Sequence, residues 1–178
     1  MINDFLQLKL QPIKAVLFDA DGVLTNGQII IDSRGEEIKA FHVKDGQFFP
    51  FMRYCGFVLG CISGRHSTSL ATRMEALKVH FVKTGVKKKS EAYQFFKQTY
   101  GLTDEQIVYI GDDINDLKVI KQVGFSVAPA DGLVQKYHPV DYICEAKGGE
   151  GVLREIFTML VEAQNLESKL EEFIEKEL

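Results

Sequence analysis

The chain has 178 residues, 46% of them hydrophobic and 26% charged, with a formal net charge of -4, so it is long enough for one domain with a substantial core. That balance gives no basic footprint for nucleic acid, and the cluster Lys87 to Lys89 is too short to supply one. No apolar stretch reaches membrane-spanning length, and the first twelve residues lack the basic head and apolar centre of a signal peptide, which leaves a soluble, cytoplasmic protein as the expectation.

The segment KAVLFDADG, Lys14 to Gly22, sets the first element. Ala15 to Phe18 form a continuous apolar run, the pattern of a strand buried on both faces of a parallel sheet, and Asp19 stands at its carboxyl end. Open α/β sheets bind ligands at that edge. Asp19 and Asp21 point to one small volume, and two unpaired acids there call for a cation, with oxygen-seeking Mg²⁺ the natural choice. A simple strand-end turn is the plainer alternative.

Next, QIII, DSRG and EEIKAFHV (28 to 43) read as a β-hairpin, and residues 45 to 55 as a helix. A strand is expected over 57 to 63, a helix from about 66 to 78, and a strand over 79 to 82. A helix over 89 to 100 closes at Tyr100-Gly101, a C-cap signal. Then follow a strand at 106 to 110, a helix over 114 to 122, and strands at 124 to 128 and 141 to 144. GGEG (148 to 151) precedes a last packed helix to about residue 164. The tail, 165 to 178, places Leu166, Leu170, Phe173 and Ile174 on one helical stripe, to pack on this subunit or a neighbour. Alternating strands and helices predict an α/β fold with a mainly parallel sheet. Residues 1 to 164 form one domain in this reading, with no room for a separate lid.

Cys55, Cys61 and Cys144 show neither metal nor redox spacing and read as buried small residues. The four histidines are scattered, so no zinc site is expected.

Three further strand ends carry chemistry: Ser63-Gly64-Arg65, Lys89 after the strand at 79 to 82, and GDDIND with Asp112, Asp113 and Asp116. Singly, Ser63 could be a helix N-cap, Lys89 a solvated lysine, and GDDIND an acidic turn. In this order, with the DxD of the first strand, they resemble the haloacid dehalogenase superfamily of phosphohydrolases over about residues 14 to 164. A carboxylate nucleophile approaching a phosphate dianion meets about 4 kcal/mol of repulsion per unit-charge pair at about 4 Å and an effective dielectric of about 20. Mg²⁺ and an ammonium offset it. The resemblance implies a Rossmann-like fold, Asp19 as nucleophile, and Asp21 as general acid and then base. It further implies that Ser63 and Lys89 hold the phosphoryl group, that Asp19, Asp21 through its carbonyl, and Asp112 ligate Mg²⁺, and that Asp113 or Asp116 supports them.

FDADGVLTNG, GEEIKAFHVKDG, SGR, GDDINDL and GGEGVLRE resemble the capless branch that contains 3-deoxy-D-manno-octulosonate (KDO) 8-phosphate phosphatases. That branch implies a homotetramer joined through its hairpins, with each open site completed by a neighbour. It implies substrate contacts from Asp21, His42, Val43, Lys44, Asp45, Gly46, Gly64, Arg65, Arg73 and Lys89, on a phosphorylated sugar acid of lipopolysaccharide synthesis. Glu150 stands where a basic residue is more usual in that branch, which keeps nine-carbon keto sugar acid phosphates open as substrates, whereas Arg65 favours the eight-carbon acid. A non-catalytic tetramerisation module is the alternative of another class.

Overall fold

A computed structural model describes residues 3–177. Six parallel strands form the sheet: β1 (Ala15–Phe18), β4 (Val58–Ile62), β5 (Phe81–Lys83), β6 (Ile107–Ile110), β7 (Phe125–Ala128) and β8 (Tyr142–Ile143). Their spatial order is β5-β4-β1-β6-β7-β8. The chain leaves β1 towards β4 and β5, then returns to β1's other side at β6. The order reverses between β1 and β6, and ligands of such sheets sit beyond the carboxyl ends of the strands flanking the reversal.

Period-2 geometry divides β1 between two cores. Val16 and Phe18 face α1 (Asp4–Leu10), α3 (Phe49–Tyr54), α4 (Thr68–Ala76) and α7 (Val152–Ala163). Ala15 and Leu17 face α5 (Lys89–Tyr100) and α6 (Leu117–Ile120). All four residues are fully buried, as the continuous apolar run requires. On the α7 side, Phe18, Phe49 and Phe157 stack edge to face, at 5.9 and 5.4 Å between centroids.

The hairpin is shorter than its β-branched arms suggest. Pairing is confined to β2 (Ile30–Ile31) and β3 (Glu37–Ile38), with Ile30 opposite Ile38. The helix expected over 45 to 55 is two pieces, α2 (Val43–Gln47) and α3, separated at Phe48. Pro50 sits in the first turn of α3, where its missing N–H costs nothing, but it could not continue a helix through that point. The helix expected over 114 to 122 starts as a 3₁₀ turn, Ile114–Asp116, capped by Asp113, and continues as the single turn of α6. α1 was not expected; Asn3 caps it by accepting the Leu6 N–H at 2.9 Å. By contrast, α5 spans the residues expected, and Gly101 ends it at φ 63°.

The tail forms α8 (Glu167–Glu177) and packs on its own chain, with Phe173 against Phe51 and Tyr54 at 5.6 and 5.4 Å. Ile174 departs from the expected stripe and is half exposed. Cys61 and Cys144 are buried, but Cys55 only partly so, because it lies at the open end of α3.

Candidate active site

Asp19 is positioned by the sheet itself: its N–H continues the β1–β6 ladder to the Ile110 carbonyl at 2.9 Å. The chain then turns sharply, with the amides of Val23, Leu24 and Thr25 all reaching the Ala20 carbonyl. Gly22 takes φ 80°, and a side chain there would overlap the Asp112 carboxylate, so glycine serves both the turn and the close approach of β6's loop.

Lys89 reaches in from the first turn of α5. Its Nζ lies 2.6 Å from Asp19 Oδ2 and 2.7 Å from Asp116 Oδ1, and it is only 3% exposed, which removes the solvated-lysine alternative. Asp116 is fully buried and fully engaged: Lys89 and the Tyr109 hydroxyl donate to Oδ1, and the Asp112 and Asp113 amides donate to Oδ2. GDDIND is therefore more than a solvated acidic turn. Of the two supporting acids, Asp116 holds the lysine, while Asp113 caps the 3₁₀ turn through the Ile114 amide.

Ser63 is 1% exposed at the end of β4, where its Oγ accepts the Arg65 N–H at 3.3 Å. The helix α4 is capped instead by Ser67, which leaves Ser63 free of that duty. Asp19, Asp21, Gly64, Arg65, Asp112, Asp113 and Asn115 line an open cavity of about 180 Å³.

Carboxylate oxygens of Asp19, Asp112 and Asp116 come within 4.8 Å of one another. Burial, and then repulsion from Asp116, push Asp19 up to about 7 against the pull of Lys89. Burial, Asp19 and Asp116 push Asp112 up to about 8. Burial opposes the Lys89 ammonium, but Asp116 and Asp19 outweigh it and hold its pKa above the usual lysine value. Three carboxylates face one ammonium. An all-oxygen donor set with excess negative charge fits a hard divalent cation such as Mg²⁺, and because Asp116 is committed elsewhere, Asp19 and Asp112 are the side chains left to hold it.

Residues 66–156 match the family of haloacid dehalogenase-like hydrolases. The 3-deoxy-D-manno-octulosonate 8-phosphate phosphatase KdsC of Haemophilus influenzae is 38% identical over 164 residues, covering 92% of this chain and 91% of that protein. The chain belongs to this hydrolase family. Among solved structures, the 3-deoxy-D-manno-octulosonate 8-phosphate phosphatase of Yersinia pestis superposes with a TM-score of 0.88 at 33% identity, covering 92% of this chain and 89% of that one. The Moraxella catarrhalis enzyme of the same name, in complex with magnesium ion, phosphate ion and a KDO molecule, gives 0.89 at 33% identity over 94% and 97%.

In this haloacid dehalogenase-like chain, the remaining expected contacts do not line the Asp19 cavity. His42, Asp45, Gly46 and Arg73 line a separate small cavity, and Val43 and Lys44 are exposed. Asp45 has a structural duty beside its expected one. It is 2% exposed, and its Oδ1 accepts the Arg154 N–H at 2.9 Å, so it caps α7, whose own N-cap, Gly151, has no side chain to do so. Gly46 gives room to the Arg73 guanidinium, which lies 5.9 Å from the Phe41 ring.

Three features escaped the sequence reading. Lys39 and Glu37 project from β3 and its end toward Asp21 and Arg65. Their i, i+2 spacing in EEIKAF, with Ile38 between them, is the signal of one charged face. Asn115 lines the cavity without any pattern to announce it. The third is the loop packing behind the site: the Gly148 N–H donates to Asp131 at 2.9 Å, and a side chain on Gly148 would overlap the Gly22 carbonyl.

Proposed function

We propose that the chain is a Mg²⁺-dependent phosphatase that hydrolyses a phosphorylated keto sugar acid, KDO 8-phosphate, to KDO and phosphate. The observation that carries this reading is the Lys89 ammonium 2.6 Å from Asp19, inside a carboxylate cluster at the reversal point of the sheet. The Haemophilus and Moraxella relatives supply the substrate.

Asp19 attacks phosphorus, the ester P–O bond to the sugar breaks, and Asp21 gives its proton to the departing alkoxide. Asp21 then removes a proton from the water that attacks the aspartyl-phosphate, releasing phosphate and restoring Asp19. Ser63 and Lys89 hold phosphoryl oxygens, and Asp116 keeps the Lys89 ammonium in place. Mg²⁺ held by Asp19, Asp112 and the Asp21 carbonyl would neutralise phosphate charge. Arg65, half exposed at the rim, and Gly64 contact the substrate. His42, Val43, Lys44, Gly46 and Arg73 serve as the surface that meets a neighbouring subunit's site.

The partner is a second set of copies of this chain in a homotetramer. Ile29, Ile30, Ile31 and Ile38 are each at least 45% exposed on the hairpin, an apolar patch that a partner would cover. Residues 1 to 164 are the catalytic domain and 165 to 178 its helical tail. Among the described residues no helix is long and apolar enough to cross a membrane, and the reading places the enzyme in the cytoplasm. A non-catalytic module would have no use for a buried lysine between two acids.

Hydrolysis of a panel of eight- and nine-carbon keto sugar acid phosphates with Mg²⁺ tests the substrate. KDO 8-phosphate should have the highest kcat/KM; a preference of about tenfold, or about 1.4 kcal/mol, for a nine-carbon acid would replace it with that substrate.

A further inference from the structure

The hairpin carries more than an apolar patch. Among the described residues, the Asp21 carboxylate has two cationic neighbours: Lys39, in direct contact, and Arg65, at 4.0 Å. The Lys39 side chain is 3% exposed, and its ammonium also lies 2.8 Å from Glu37, which in turn holds Arg65 at 2.5 Å. Asp21 itself stands on the turn beyond β1, 27% exposed at its side chain and outside the ladder that fixes Asp19. A side chain there would sample several rotamers without a partner.

We propose that Lys39 is a positioning residue: it fixes the Asp21 carboxylate in the orientation needed to take a proton from the water that attacks the aspartyl-phosphate. The inference deepens the phosphatase reading and rests on it. Lys39 touches the Asp21 carboxylate directly, and in the second half-reaction that carboxylate must face the attacking water. Lys39 is a durable anchor because its own freedom is already lost. An ammonium held between two carboxylates cannot turn outward without giving up both contacts, and Asp21 would keep only the longer one to Arg65. Since Lys39 and Glu37 lie on the side of the hairpin opposite exposed Ile38, the hairpin's placement reaches Asp21 most directly through the Lys39 contact.

The test is rapid-quench kinetics on p-nitrophenyl phosphate with Mg²⁺, whose phenolate leaves without needing a proton. In Lys39→Met, formation of the aspartyl-phosphate should stay fast and its hydrolysis should slow, by about 100-fold given what a placed base contributes. The expected trace is a burst of one nitrophenolate per site, a slow steady state, and acid-stable phosphoenzyme that wild type does not accumulate. Glu37→Gln keeps the Lys39–Asp21 pair and should turn over without a burst, with thermal unfolding of both variants reporting on the fold. Unchanged turnover in Lys39→Met, burst and steady state falling together, or an equal burst in Glu37→Gln each overturn the assignment. A wild type that hydrolyses no phosphate ester overturns the phosphatase reading, and the inference with it.

Discussion

The carboxyl edge of the sheet and the hairpin above it break the usual distribution of side chains in opposite directions. At the edge, the ionisable side chains of Asp19, Lys89 and Asp116 are buried; on the hairpin, Ile30, Ile31 and Ile38 are apolar and exposed. Each arrangement costs stability in an isolated subunit. Buried like charges repel and lose hydration, and exposed isoleucines forgo the burial that stabilises a core. In the function proposed above, each cost is offset from outside the chain: by a cation and phosphate at the edge, and by another copy of the chain on the hairpin. Lys39 joins the two regions, since it sits on the hairpin and its charge is spent on the edge.

The sharpest break of this comparison is at Asp19. Asp19→Asn should reduce turnover to background while raising the thermal unfolding temperature of the metal-free protein, because it deletes one of the crowded carboxylates. Near-wild-type phosphatase activity in that variant would refute the nucleophile. Asp21→Asn should lower activity by about 10² to 10⁴-fold and leave metal-free stability much closer to wild type, since Asp21 lies outside the buried cluster.

The edge should also reveal itself through pH. Asp19 and Asp112 are pushed up to about 7 and about 8, above the 3.8 expected for each when unfolded, so the folded metal-free protein binds more protons than the unfolded one between those values. The contribution of these two groups to stability is therefore greatest at the acid end and falls as pH rises from about 4 to about 8. Added Mg²⁺ should raise the melting temperature more at pH 8 than at pH 5, and chelation should stop turnover reversibly. An equal Mg²⁺ shift at both pH values would show that these carboxylates do not hold the ion.

The hairpin is expected to respond in assembly before stability. The proposed tetramer predicts that Ile30→Asp combined with Ile31→Asp shifts sedimentation towards monomer, with a change in subunit stability no larger than is usual for surface positions, about 0.5 kcal/mol each. A tetramer that survives both changes would place the interface elsewhere. The smallest contrast lies in the tail. Phe173→Ala should cost about 2 kcal/mol through lost contact with Phe51 and Tyr54, whereas Ile174→Ala should stay within about 0.5 kcal/mol in denaturant unfolding.

Legibility in the sequence followed how local the cause was. β1 and α5 were readable because an unbroken apolar run and a glycine C-cap act within a few residues. The single helix expected over 45 to 55 overlooked Pro50, whose effect needs only chain geometry and was available to be read. Asp45 is different. Its partner is the amide of Arg154, more than a hundred positions along, so no local pattern could have separated a helix cap from a substrate ligand.

The order of the motifs, their residue types and the strand-ending glycines follow from the chain alone, because backbone preference and hydrophobic period are short-range properties. That was enough for the α/β class, while the choice of Asp19, Asp21, Ser63, Lys89 and Asp112 as candidate site residues rested on the resemblance their order carries. Which acid takes the lysine, where Lys39 points, and which of the expected contacts face the cavity depend on strands brought side by side in an order the chain does not spell out. Coulomb forces and hydrogen bonds act over a few ångströms of space, whatever the separation along the polymer, so those assignments had to wait for the packed molecule.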